Sequence, residues 1–143
     1  MKKIIFFALL LFFNFHSGQK ATIGRLESMF GIWEDKESDY SLKLEISKNN
    51  DTNDFLFALI NSRGEKFIVN KSHIFENDNK AIVIEIEEAK LSTCNFNSGK
   101  MIIASTTENK LLLNLNDVPK CSTSYDTSVT IDDVKDILLT KKQ

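Results

Sequence analysis

From Tyr40 to Leu115 the apolar residues come in short runs, and polar turns cut each run off. Two of these runs alternate cleanly. Tyr40, Leu42, Leu44 and Ile46 point one way against Lys43, Glu45 and Ser47, and Ile82, Ile84 and Ile86 oppose Glu85 and Glu87. A period of two belongs to a half-buried strand and cannot line one face of a helix. Gly31-Ile32-Trp33, Phe55–Ile60, Lys66–Val69, Ala89–Phe96, Lys100–Thr106 and Leu111–Leu115 read as further strands, with Ser72–Phe75 continuing the third of these or starting another. Turn residues stand between them at Glu34–Asp39, Asn49–Asp54, Ser62-Arg63-Gly64, Asn77-Asp78-Asn79, Asn97-Ser98-Gly99 and Glu108-Asn109. Strands spaced by about 10 to 15 residues make serial hairpins. The expected fold is mainly β, an antiparallel up-and-down meander closing into a small barrel; a β-sandwich is the alternative.

The period changes at both ends of this region. Ile23, Leu26, Met29 and Phe30 recur at helical spacing, so a short N-terminal helix is expected over Ala21–Phe30. Ile131, Val134, Ile137 and Leu138 also form a helical stripe. Thr130 and Asp133 resemble a capping box, and Lys141 and Lys142 suit a helix C-terminus. A C-terminal helix is therefore expected, and it would cover the outer face of Phe55–Ile60, which is apolar on both sides. Strands at Ser128–Ile131 and Ile137–Thr140 are the rival.

Lys2 and Lys3 lead an unbroken apolar run from Ile4 to Phe13, and small or polar residues follow at Ser17, Gly18 and Gln19. That order reads as a signal peptide over residues 1–18, with a single domain over 19–143. The run is shorter than the roughly 20 residues a membrane span needs, so no stable membrane anchor is expected. The expected location is periplasmic or secreted. The chain has 18 basic residues, two of them Lys2 and Lys3, against 20 acidic ones. An acidic domain argues against nucleic acid as a partner. Export and an even cysteine count favour a Cys94–Cys121 disulfide. A loop of this length would gain roughly 3 to 4 kcal/mol from the cross-link. The expected strand order places both cysteines at one rim, where the bridge would pin Asn116–Ser124 as a fixed lid.

Catalytic constellations are not found. His73, with Lys71, Ser72 and Glu76 around it, has no nucleophile elbow nearby and reads as a surface or strand-edge histidine. One such histidine and two paired cysteines do not make a zinc site. Asn49–Asp54 and the Glu34, Asp35, Glu37, Asp39 group read as solvated turns rather than calcium loops. Glu85 and Glu87 face outward, and the scattered glycines form no phosphate loop. No catalytic residue, metal or cofactor is expected, and the chain reads as a binding protein rather than an enzyme. Trp33, Phe55, Phe57, Phe67, Phe75 and Phe96 either line a ligand cavity or fill the core. Of these, Trp33, Phe55, Phe57 and Phe96 are the candidate ligand-binding residues.

A short helix, a Gly31-x-Trp33 strand, a hairpin meander and a final helix together resemble the lipocalin and calycin barrels. Gly31 and Trp33 match that family's Gly-x-Trp motif, whereas its Thr-Asp-Tyr motif is missing, since Tyr125-Asp126-Thr127 runs in reverse. The resemblance implies that Trp33 packs across the closed end of the barrel. It also implies a monomeric carrier of a small apolar ligand. Such a carrier should hold a cavity of about 300 Å³ or more among its inward aromatics. The alternative is a protein-binding inhibitor or immunity protein against a secreted enzyme.

Overall fold

The computed structural model describes residues 18–37, 41–122 and 128–143, so the leader read over 1–18 lies almost wholly outside it. Helix α1 runs through residues 18–28. The strands are β1 (Gly31–Glu34), β2 (Lys43–Lys48), β3 (Phe55–Ile60), β4 (Lys66–Glu76), β5 (Ile82–Leu91), β6 (Cys94–Phe96), β7 (Lys100–Thr107), β8 (Lys110–Asn116), β9 (Cys121–Ser122), β10 (Ser128–Val129) and β11 (Val134–Lys141). Every pairing is antiparallel, and the ladder β4-β3-β2-β1-β11-β8-β7-β5 closes through β4 against β5. The result is a closed barrel of eight wall strands, not a sandwich. Closure leaves no free sheet edge where neighbouring strands are fully paired.

Strands β6 and β7 act as one wall strand. Leu91 pairs with Cys94 and Ile82 with Ile103, and the same register carries β5 past both strands. Two expectations are corrected here. Ala89–Phe96 is not one strand, because the chain reverses at Ser92-Thr93, with Ser92 at φ 54°. Asn97-Ser98-Gly99 is not a hairpin turn but a break in the ladder within a strand that continues in one direction. Gly99 sits at φ +137°, and a Cβ there would lie 2.9 Å from the Val118 side chain and 3.1 Å from that of Ile86. Only glycine lets residues 117–118 close over this break.

The break belongs to a bend shared by three neighbouring strands. β4 shifts register around Lys71, between the buried Phe67 and Val69 and the later half-buried Ile74. β5 changes from inward Ile82, Ile84 and Ile86 to inward Ala89, with Glu87 and Glu88 both exposed between them. β6 and β7 change from Cys94 and Phe96 to Met101 and Ile103. A bulge flips which parity faces the core. Three flips at one latitude keep the core face continuous around the corner.

Residues 134–141 are strand β11, which corrects the expected C-terminal helix. Val134 pairs with Leu115 but Ile137 pairs with Leu113, so one extra residue is inserted between them. Asp136 takes φ 52° in this bulge and donates its N–H to Asn114 Oδ1 at 2.9 Å. The insertion stretches the inward spacing from two to three, and that spacing mimics a helical stripe. The outer side chains of β3 (Leu56, Ala58 and Ile60) consequently have no C-terminal helix over them and remain half-buried.

The first and last wall strands meet where β1 pairs with β11. Only Trp33 with Lys141 and Glu34 with Thr140 are paired there, extended by Lys142 N–H to Ile32 O at 2.8 Å. Glu34 reinforces this short seam, accepting from Lys43 and Lys142 Nζ at 3.3 Å each. The Lys43 hydrogen bond holds the Glu34 carboxyl below its ordinary value, and Lys142 adds to it, against a desolvation that raises it. A depressed carboxyl contributes stability that is complete above its unfolded value and is lost as pH falls through the lowered folded one. Acid titration followed by urea unfolding should show stability declining with acidification, and Glu34→Gln should flatten that slope. An unchanged slope in Glu34→Gln would remove Glu34 from the seam's electrostatics.

The interior is filled. Leu44, Ile46, Phe57, Ile82, Ile84, Met101, Ile103, Leu111, Leu113, Leu115 and Leu139 are all at most 1% exposed and join one cluster. Each buried side chain of this size contributes about 1.5–3 kcal/mol. One end of the barrel is plugged by α1, where Leu26 and Met29 turn inward over Trp33. Thr22 completes that inward stripe while Ile23, expected on it, is exposed. Trp33 Nε1 donates to Met29 O at 2.8 Å, and the Lys141 ammonium lies 5.3 Å from the Trp33 ring centre.

Candidate functional site

Opposite α1 the barrel has a mouth, and the chain builds it from strand ends. Leu59 of β3, Leu91 of β5 and Leu115 of β8 are the last inward side chains before their strands stop, and Phe67 is the first of β4. Leu42, just before β2, and Val134, opening β11, complete the ring. These side chains line a depression of about 210 Å³. Phe67 in turn meets the buried Phe96 edge to face, with ring centres 5.6 Å apart at 74°.

A lid covers part of this mouth, and the disulfide positions it. Cys94 is 1% exposed at the start of β6, and its Cα lies 5.9 Å from that of Cys121 in β9. β9 pairs with β10, Val129 opposite Cys121 and Ser128 opposite Ser122. From β10 the chain passes through Thr130, Ile131 and Asp132, which line the depression, into β11. The cross-link thus reaches the mouth through a single cross-strand pair. Both cysteines do lie at one rim, as expected. The strand order that suggested it differs, since Cys94 starts its wall strand instead of nearing the top of one. Residues 123–127, part of the expected lid, lie outside the described residues.

The polar side of the mouth is the β3–β4 turn, and it is tied to itself. Asn61 Oδ1 accepts the N–H of Arg63 and of Glu65, both at 3.0 Å, and Asn61 Nδ2 donates to Glu65 Oε2 at 2.6 Å. Arg63 and Glu65 are ion-paired at 3.3 Å. Their charges offset one another, and the mouth therefore offers an apolar depression with a neutralised rim on this side. Such a surface can seat an apolar group.

The four candidate ligand residues are not brought together. Trp33 lies under α1 at the far end, 1% exposed, where the Gly31-x-Trp33 resemblance places it. Phe57 and Phe96 are 0% and 3% exposed in the packed interior. Phe55 is half-buried at the helix end, its ring 6.0 Å from Phe30 and 5.4 Å from Lys48 Nζ. The depression is smaller than the cavity of about 300 Å³ expected among these aromatics. The aliphatic mouth residues Leu42, Leu59, Leu91, Leu115, Ile131 and Val134 were not singled out. Their common signal is position: each lies at or next to a strand end at the rim that carries the cysteines.

His73 sits on the outer wall beside Phe75, ring centres 5.6 Å apart. Among the described residues, no group of three or more His, Cys, Asp or Glu side chains could hold a metal ion, and no helix is long and apolar enough to cross a membrane. Fold and mouth define a closed eight-stranded antiparallel barrel, helix-plugged at one end and disulfide-tied at the other. Compared with protein-family models, with curated proteins and with solved structures, the chain matches none of them.

Proposed function

We propose that this chain is an exported, non-catalytic binding protein of lipocalin-like build, which seats one small apolar group at its disulfide-tied mouth. The observation that carries this reading is the packed interior, with about 210 Å³ of apolar depression at the rim. A dry cavity of about 150 Å³ takes a benzene-sized molecule, whereas drug-sized ligand sites run to about 300–1,000 Å³. The group is therefore of ring or branched side-chain size. The disulfide is compatible with an oxidising, extracytoplasmic compartment. The same small volume supports a second reading, in which the apolar group is a side chain presented by a protein partner, as an inhibitor or immunity protein would require.

Methyl-detected NMR titration with benzene or indole tests the site. Shifts should centre on Leu59, Leu91, Leu115, Ile131 and Val134, and Ile131→Asp should weaken the titration at least tenfold. Shifts that centre instead on the interior Ile103 and Leu113, or no shift at millimolar probe, would remove the mouth as the binding site. A purified chain that binds the free probes tightly favours the carrier reading. Binding that appears only with a protein-borne side chain favours the inhibitor.

A further inference from the structure

We infer that the open edge of β4, from Ser72 to Glu76, is a strand-addition site for an extended peptide segment of a partner protein. It lies at the helix end, opposite the mouth, and does not rest on the reading of the mouth.

The barrel wall is incomplete here. β3 pairs with β4 only from Lys66 to Val69, yet β4 runs on to Glu76 with β5 along its other side. The bulge around Lys71 resets which residues face which edge. Asn77 N–H donates to Ala81 O at 3.0 Å, closing the β4–β5 hairpin at an odd-numbered residue. Alternation then gives the ladder bonds with β5 to His73 and Phe75. Ser72, Ile74 and Glu76 direct their N–H and C=O groups to the opposite, open edge. No backbone or side-chain group among the described residues bonds to them there.

Helix α1 faces this edge across a gap. Arg25 pairs with the Glu76 carboxylate and donates from Nη2 to Lys80 O at 3.0 Å, which fixes the helix beside the end of β4. Between them runs a groove of about 290 Å³, lined by Gln19 and Thr22 of the helix and by Ile74 and Phe75 of the strand. Phe75 and Ile23 are 37% and 41% exposed. A naked strand edge facing a helix across an apolar groove is the geometry in which an extended peptide docks as an added strand. Main-chain bonds hold such a peptide, and pockets for alternate side chains select it.

The backbone decides the occupant. A small apolar ligand or a partner helix would meet Phe75 and still leave the edge N–H and C=O groups without partners, at the cost of their desolvation. Only another extended backbone answers them in register. The favoured partner segment places an aromatic or β-branched residue across from Phe75, where cross-strand pairs contribute most.

Amide exchange by NMR on the full oxidised chain provides the test, with the soluble strand peptide Lys-Thr-Val-Thr-Val-Thr-Lys as the probe. In the free chain the Ser72, Ile74 and Glu76 amides should exchange at least tenfold faster than those of His73 and Phe75. The peptide should slow these three and leave the rest of the barrel unchanged. The same peptide N-methylated at alternate residues should bind at least tenfold more weakly. Ile74→Pro removes the outward N–H, together with a side chain half-buried against the core, and should abolish the protection. If that variant fails to fold, the methylated peptide on the unaltered chain decides. The assignment is overturned if the three amides are already protected in the free chain, if methylation changes nothing, or if millimolar peptide leaves them fast. Protection that rises with protein concentration alone would give the edge to a second copy of this chain and also overturn it.

Discussion

Trp33→Ala should cost about 3–5 kcal/mol of folding stability, measured by urea or guanidinium unfolding. Whole domains have about 5–15 kcal/mol, so this change alone takes a large share. Three contributions meet at this one side chain. Its ring is 1% exposed and packs between α1 and the barrel interior, so truncation loses burial and leaves a cavity. Its Nε1 satisfies Met29 O, one of the last carbonyls of the helix end. Its face receives the Lys141 ammonium from β11, the strand that pairs with β1. Trp33→Phe separates these effects. It keeps most of the apolar area but leaves the Met29 carbonyl without its donor, a loss of about 1–3 kcal/mol. Lys141→Ala should cost less, about 0.5–1 kcal/mol through the ring contact. A loss under about 1 kcal/mol for Trp33→Ala would mean that α1 holds the barrel end without it.

The period-two runs made the barrel legible, because a half-buried strand must alternate and these runs do. β3 was read at its true limits, Phe55–Ile60, since turn residues bound it on both sides. The β7–β8 hairpin at Glu108-Asn109 was equally plain. Errors gathered where a bulge changes the period. The extra residue between Val134 and Ile137 turned a strand into a helical stripe. The phase change at Glu87-Glu88 looked like the end of one strand and the start of another. Asn97-Ser98-Gly99 has the composition of a turn, but its Gly99 serves the approach of Val118 instead. In each case the decisive fact is the partner strand, which a one-dimensional pattern does not contain. The site was legible only through the cysteines. Aromatic residues drew attention as ligand contacts because they are large, and for the same reason they fill the interior. The mouth fell to mid-sized aliphatic residues, whose importance comes from where their strands stop.

Removing the disulfide should cost about 3–4 kcal/mol, the entropy of an unfolded loop that spans 27 residues. The loss should be felt unevenly. The barrel ladder does not run through the bridge, so β1 to β8 and β11 keep their pairings when it is cut. The lid is different. β9 and β10 form a two-stranded sheet of two residue pairs, too little to hold itself together in water. Without Cys94 to anchor Cys121, the lid relies on Val118, Val129 and Ile131 packed at the rim. Cys94 is itself a core side chain, so its replacement mixes lost packing with lost cross-link. Two arms separate the effects. Dithiothreitol on the unaltered chain leaves both sulfurs in place and reports the cross-link, while Cys94→Ala with Cys121→Ser reports cross-link and packing together. Reduction should lower the urea midpoint, broaden the Val129 and Ile131 methyl signals, and weaken benzene or indole binding at the mouth. The Ile103 and Leu113 methyls should stay sharp below the unfolding transition. If all methyls broaden together, the bridge stabilises the barrel as a whole. If binding survives reduction undiminished, the aliphatic ring of strand ends forms the mouth without its lid.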